Sequence, residues 1–170
     1  MNFIVRILVM AIAIAPPVLG TRMHAQTTLK GREENQMKQA RGSVEVKIAP
    51  AESSTIGKEG GIGRMTIDKN LNGEIVGTTK GEMLTCITQT TGAMAYVALE
   101  TVTATLDGRS GTFVFIHTAT MNKTDPQSQS LQVSVVPGSG TGGLTGISGK
   151  FSIHIDPEGK HTYTFDYELP

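Results

Sequence analysis

YVALETVTATLDGRSGTFVFIHTATM, residues 96–121, consists of two long alternating runs joined by a Gly-rich turn, the strongest hairpin signal in the chain. With Gly108 and Arg109 as the two central turn residues, glycine in the first place suits a type II′ turn. In that register Asp107 pairs with Ser110, Ala104 with Phe113, Val102 with Phe115, and Glu100 with His117. Side chains alternate across a strand, so one face carries Tyr96, Val102, Phe113 and Phe115, interrupted by Glu100 and His117. The other face is mostly hydroxyl: Thr101, Thr103, Thr105, Thr112, Thr118 and Thr120. A carboxylate and an imidazole on an apolar wall are costly unless paired. Two readings of Glu100 and His117 stay open. They are either a catalytic acid/base pair, with Tyr96 as a nearby hydrogen-bond donor, or a satisfied polar pair that sets strand register.

The bulk composition agrees with a strand-rich chain. It has 170 residues, enough for one domain with a sizeable core. Lys plus Arg and Asp plus Glu are both 15, and the formal net charge is zero. No basic excess points toward nucleic acid, so none is expected as a partner. Gly is 20, Trp is absent and the aromatic content is 5%, a mix that favours strands and turns over helices.

The N-terminus has the pattern of a targeting segment. Arg6 supplies a positive n-region, residues 7–15 (ILVMAIAIA) are an apolar run of h-region length, and Pro16, Pro17 and Gly20 break it. We expect a signal peptide over residues 1–25, cleaved after Gly20 or Ala25, and export to the periplasm or beyond. The run is short for a bilayer span, so no stable membrane insertion is expected. Residues 26–41 are polar and mixed in charge, a mobile lead-in. Residues 42–170 then form a single β-barrel domain. Cys86 has no partner in the chain. It is either a small buried hydrophobe inside a strand or a reactive or ligand-contacting thiol in the barrel.

Alternation places strands at residues 43–48, 63–68, 73–80 and 83–89, the last two parted at Gly81. A turn is expected at residues 69–72 (KNLN). After the central hairpin come a loop at residues 122–129 and strands at 131–136, 150–155 and 161–169. These amount to about eight strands with almost no helical periodicity. The fold class is all-β, a closed antiparallel barrel of about eight strands, with a β-sandwich as the alternative.

Three motifs fail on context. Gly138, Gly140 and Gly143 match a dinucleotide fingerprint, but residues 144–151 head into a strand rather than a helix. Around Lys150 the P-loop glycine and hydroxyl are missing. His154 and His161 would face each other only across a two-residue turn. A three-residue loop, Pro157-Glu158-Gly159, instead pairs Ile155 with His161, Ile153 with Tyr163 and Phe151 with Phe165, a coherent apolar face. No metal and no cofactor is implied. Asn122, Lys123 and Thr124 fit an N-glycosylation sequon, usable only in a host with that machinery.

Several stretches resemble the bacterial family called domain of unknown function 3224, similar to allene oxide cyclase-like barrels. They are GRMTIDKNLNGEIVGTTKGEML (63–84), the central hairpin, VVPGSGTGGLTGISGKFSI (135–153) and HTYTFDYEL (161–169). The resemblance spans residues 42–169 and centres on Glu100, the GRSG turn at 108–111, and His117. It implies a closed antiparallel barrel around a small cavity, and no established reaction. Three functions are expected as alternatives. One is a module binding a small, partly apolar ligand, with Val102, Phe113 and Phe115 as wall and Tyr96, Glu100 and His117 orienting a polar group. Another is an isomerase- or cyclase-type enzyme using Glu100 and His117. The third is a structural or interaction protein with a filled lumen, forming a homodimer through a barrel face.

Overall fold

The central hairpin forms as β4 (Met94–Leu106) and β5 (Arg109–Met121), in a computed structural model that describes residues 36–170 other than 90 and 123. Its turn differs from expectation. Asp107 and Gly108 are the central residues, with φ of 53° and 72°, so the turn is type I′ and Leu106 pairs with Arg109. Asp-Gly is a favoured pair for that turn, and the Lys38 ammonium donates to the Asp107 carboxylate at 2.6 Å. Every cross-strand partner is displaced by two: Val102 faces Phe113, Glu100 faces Phe115, and Ala98 faces His117. A shift of two keeps each side chain on its face. The expected inward and outward sets therefore hold.

Among the described residues the remaining strands are β1 (Lys38–Ala51), β2 (Ile62–Gly73), β3 (Ile75–Ile87), β6 (Ser130–Val135), β7 (Ser148–Ile155) and β8 (His161–Glu168), with one short α-helix, α1 (Thr55–Glu59). Neighbours in sequence are neighbours in space, all antiparallel, and β1 closes the barrel on β8. β1 begins at Lys38, ahead of the expected domain start at Gly42, because residues 38–43 pair with β8. The expected signal peptide and most of the lead-in lie outside the described residues. Among the described residues no helix is long and apolar enough to cross a membrane.

Two further expectations are corrected. Residues 69–72 are not a turn but the end of β2, with Lys69 and Leu71 continuing the inward alternation from Ile67. Gly81 does not divide two strands; β3 runs straight through it. A Cβ at Gly81 would lie 2.4 Å from the Leu99 carbonyl oxygen, and one at Gly77 would lie 2.3 Å from that of Thr103. These inward glycines let β3 press onto β4 on either side of Thr79. The same parity turns Cys86 outward, where it is exposed, so its thiol is neither buried nor inside the barrel as expected. The β7–β8 hairpin forms in the expected register, with Phe151 on Phe165 and Gly159 at φ 84°.

One half of the lumen is solid. Phe113, Phe165, Val102, Ile75 and Leu144 are fully buried there. Phe113 stacks on Phe165 at a centroid distance of 6.0 Å and meets Phe115 edge-on at 5.0 Å. Each buried side chain of this size contributes about 1.5–3 kcal/mol. The Gly-rich segment after β6 stoppers this end. Its Thr141 N–H donates to the Thr112 carbonyl at 2.8 Å, and its Leu144 and Ile147 enter the core. Gly140 serves close packing, since a Cβ there would lie 2.1 Å from the Leu144 carbonyl oxygen, and a short 3-10 turn at Gly142–Leu144 stands where a nucleotide site would need an α-helix.

Gly81→Ala should cost about 1–3 kcal/mol by forcing β3 off β4, whereas the outward Thr103→Ala should stay within about 0.5 kcal/mol. Urea denaturation of the two variants checks this. Equal midpoints would mean that the β3–β4 approach is not tight.

Candidate functional site

Four consecutive strands each send one polar side chain into the middle of the lumen: Lys69 from β2, Thr79 from β3, Glu100 from β4 and His117 from β5. All four are buried, Glu100 completely. The Lys69 ammonium donates to both carboxylate oxygens of Glu100, at 2.6 Å to Oε1 and also to Oε2. The Thr79 hydroxyl donates to Oε1. His117 Nε2 lies 2.9 Å from Oε2, yet off the line that a ring N–H needs, so this buried nitrogen has no well-aligned partner. Glu100 and His117 meet diagonally rather than face to face, a separation long side chains span across a sheet.

The electrostatics arise from that packing. Burial alone would raise the Glu100 carboxyl. The approach of His117, the charge and hydrogen bonds of Lys69, and the Thr79 hydroxyl outweigh burial and hold it below its ordinary value. Burial lowers the Lys69 ammonium, and Glu100 offsets part of that. Burial, then the Glu100 charge, raises the Tyr96 phenol. Lys69 and Glu100 are thus opposite charges that neither could carry alone at this depth.

This polar layer floors a cavity of about 450 Å³ at the other end of the barrel. The walls are mainly apolar, from Ile67, Met83, Met94, Ala119, Met121 and Ile153 among others, with Tyr96 and His161 also exposed to the space. Lys69 and His117 line its floor, while Glu100 lies beneath them. Between β6 and β7 only Ser134 and Lys150 pair, and Leu131, Ile153 and Ile155 from these strands or their ends line the cavity.

The expected site residues are therefore divided between the two halves. Tyr96 and His117 line the cavity, and Glu100 contacts His117. Val102, Phe113 and Phe115 do not form the wall; they belong to the packed half, because they lie on the turn side of the polar layer. Lys69 and Thr79 were missed. The signal available was the alternation Met65, Ile67, Lys69, Leu71 carried through the KNLN stretch, which turns Lys69 inward.

Residues 40–167 match the model of a family described as protein of unknown function (DUF3224). The crystal structure of a protein with unknown function from the DUF3224 family, from Shewanella oneidensis MR-1, is similar at a TM-score of 0.69 and 37% identity. The match covers 79% of this chain and 99% of that one. No curated protein matches the sequence.

Lys69→Met strands the Glu100 charge and should cost about 3–5 kcal/mol, and Lys69→Met combined with Glu100→Gln should recover most of it. Additive losses in urea unfolding would show that the two are not coupled. The acid side has a defined sign. Glu100 binds its proton more weakly folded than unfolded, so its pairing stabilises fully above its ordinary value of 4.5. That stability is lost as pH falls through the lower folded value. Unfolding midpoints of Glu100→Gln should accordingly fall less steeply in acid than those of the natural protein; parallel curves would refute the assignment.

Proposed function

This chain belongs to the DUF3224 family, whose description carries no activity, and we propose that it binds a small, partly apolar ligand in the open half of the barrel. The observation that carries this reading is the cavity of about 450 Å³, apolar along its walls and floored by Lys69 and His117. Its size and its few convergent polar groups fit small-molecule sites generally. Methionines at 83, 94 and 121 supply a wall that adapts to differently shaped tails. The residues 7–15 apolar run after Arg6 supports placing this binding in the periplasm or outside the cell.

A second reading is an isomerase- or cyclase-type enzyme. It is favoured by a buried ionisable cluster with shifted proton affinities beside a cavity. In that case His117 and Lys69, not Glu100, would touch substrate, since Glu100 lies under them with both oxygens engaged.

Native mass spectrometry of the purified protein, then extraction and identification of bound molecules, tests the binding reading. A stoichiometric small molecule is expected, and Ala119→Phe, which fills the cavity, should lose it while keeping the fold. A protein that carries nothing and shows no melting shift across a lipid and metabolite panel would sink the proposal. Product formation from any retained molecule, abolished in His117→Gln, would shift the reading to the enzyme.

A further inference from the structure

The charge balance of the cavity floor narrows the class of ligand, an inference that rests on the binding reading above. A lysine ammonium has three N–H donors. In Lys69 two of them go to Glu100, which leaves one on a side chain that lines the cavity. Held by both carboxylate oxygens, this nitrogen is a donor rather than a nucleophile. Among the described residues the lining also includes His117 and His161, and no Asp or Glu. Its free polar capacity therefore favours an acceptor, preferably an anion.

His117 points the same way. Its Nε2 is buried beside Glu100 Oε2 and lacks an aligned partner. With a neutral imidazole, Lys69 and Glu100 balance each other. An added proton on His117 would strengthen its contact with Glu100, but would leave the layer with one unbalanced positive charge. Among the described residues no neighbouring group compensates. On β2 the facing group is Lys69, on β3 the neutral Thr79, and on β4 Glu100, already engaged, with Tyr96, whose phenol burial keeps protonated. From β8 there is His161, another base, from β6 the neutral Ser130, and just before it the neutral Gln129. An unbalanced buried charge is costly, and an anion seated beside Lys69 would offset it.

We infer that the ligand is a monocarboxylic acid with an apolar tail, bound as the carboxylate on Lys69 together with one proton taken up by His117. The carboxylate accepts from the remaining Lys69 N–H, the tail lies along Ile67, Met83 and Ile153, and the layer ends with two positive and two negative charges. No covalent bond changes.

Isothermal titration calorimetry of the purified protein, with straight-chain carboxylates from octanoate to tetradecanoate and their methyl esters, tests this. Running it at one pH in two buffers of different ionisation enthalpy also counts protons. The best carboxylate should bind about 10- to 100-fold tighter than its ester, with uptake approaching one proton per ligand. His117→Gln should abolish the uptake, and Lys69→Met should remove the preference for the acid. Esters binding as well as the acids would overturn the carboxylate assignment while leaving the cavity a ligand site. Tight carboxylate binding with no proton uptake would overturn the role of His117. If neither series binds and the native protein also carries no molecule, the binding reading itself fails.

Discussion

The Glu100 carboxylate, charged and wholly enclosed in the barrel, is the constraint on which the rest of the molecule turns. A buried charge persists only where its partners are held in place. Here the holding is shared by consecutive strands: Lys69 comes from β2, Thr79 from β3 and His117 from β5. A slip of one residue in β2 or β3 would turn Lys69 or Thr79 outward and leave the carboxylate short of a partner. The ion pair thus contributes more to register than to net stability, because replacing such pairs by apolar groups is often neutral.

The polar layer also divides the lumen. On the turn side, Phe113, Phe165, Val102, Leu144 and Ile147 close it completely, and the Gly-rich segment after β6 acts as the stopper. On the other side the inward residues include the unbranched methionines 83, 94 and 121, and the space between them stays open. An eight-stranded barrel is just wide enough for side chains to fill. Whether a given level is solid or hollow therefore depends on which side chains occupy it, and the aromatics are almost all on one side.

The backbone contributes as much as the side chains. Gly77 and Gly81 remove the Cβ atoms that would hold β3 away from β4, and Thr79 between them reaches Glu100. At the barrel's closure Gly42 plays a related part. The Tyr163 ring lies over it, and the phenolic oxygen accepts from the Ile75 N–H at 3.0 Å. Side-chain contacts and strand approach are thus set by the same residues, and the sparse β6–β7 pairing stands out against this tightness.

Much of the architecture was legible in the sequence because a strand's facing has a period of two. The inward set of Glu100, Val102, Phe113, Phe115 and His117 comes from alternation alone, and it survived a turn assignment that was wrong by two in register. The β7–β8 register was legible for a similar reason: Pro157-Glu158-Gly159 is a local turn signal that agrees with the apolar face around it. Residues 69–72 misled because Asn70 and Asn72 are turn formers, and nothing nearby explains a buried lysine. Its explanation is Glu100, 31 residues further along the chain. The sequence by itself determined which faces point inward, since that depends on neighbours one and two positions away. Only the tertiary structure decided that Lys69 and Thr79 complete the site, that Glu100 lies beneath it, and that Val102, Phe113 and Phe115 pack rather than line a pocket. Those facts depend on how far along the barrel each inward residue lies, and that is set by long-range strand pairing and closure.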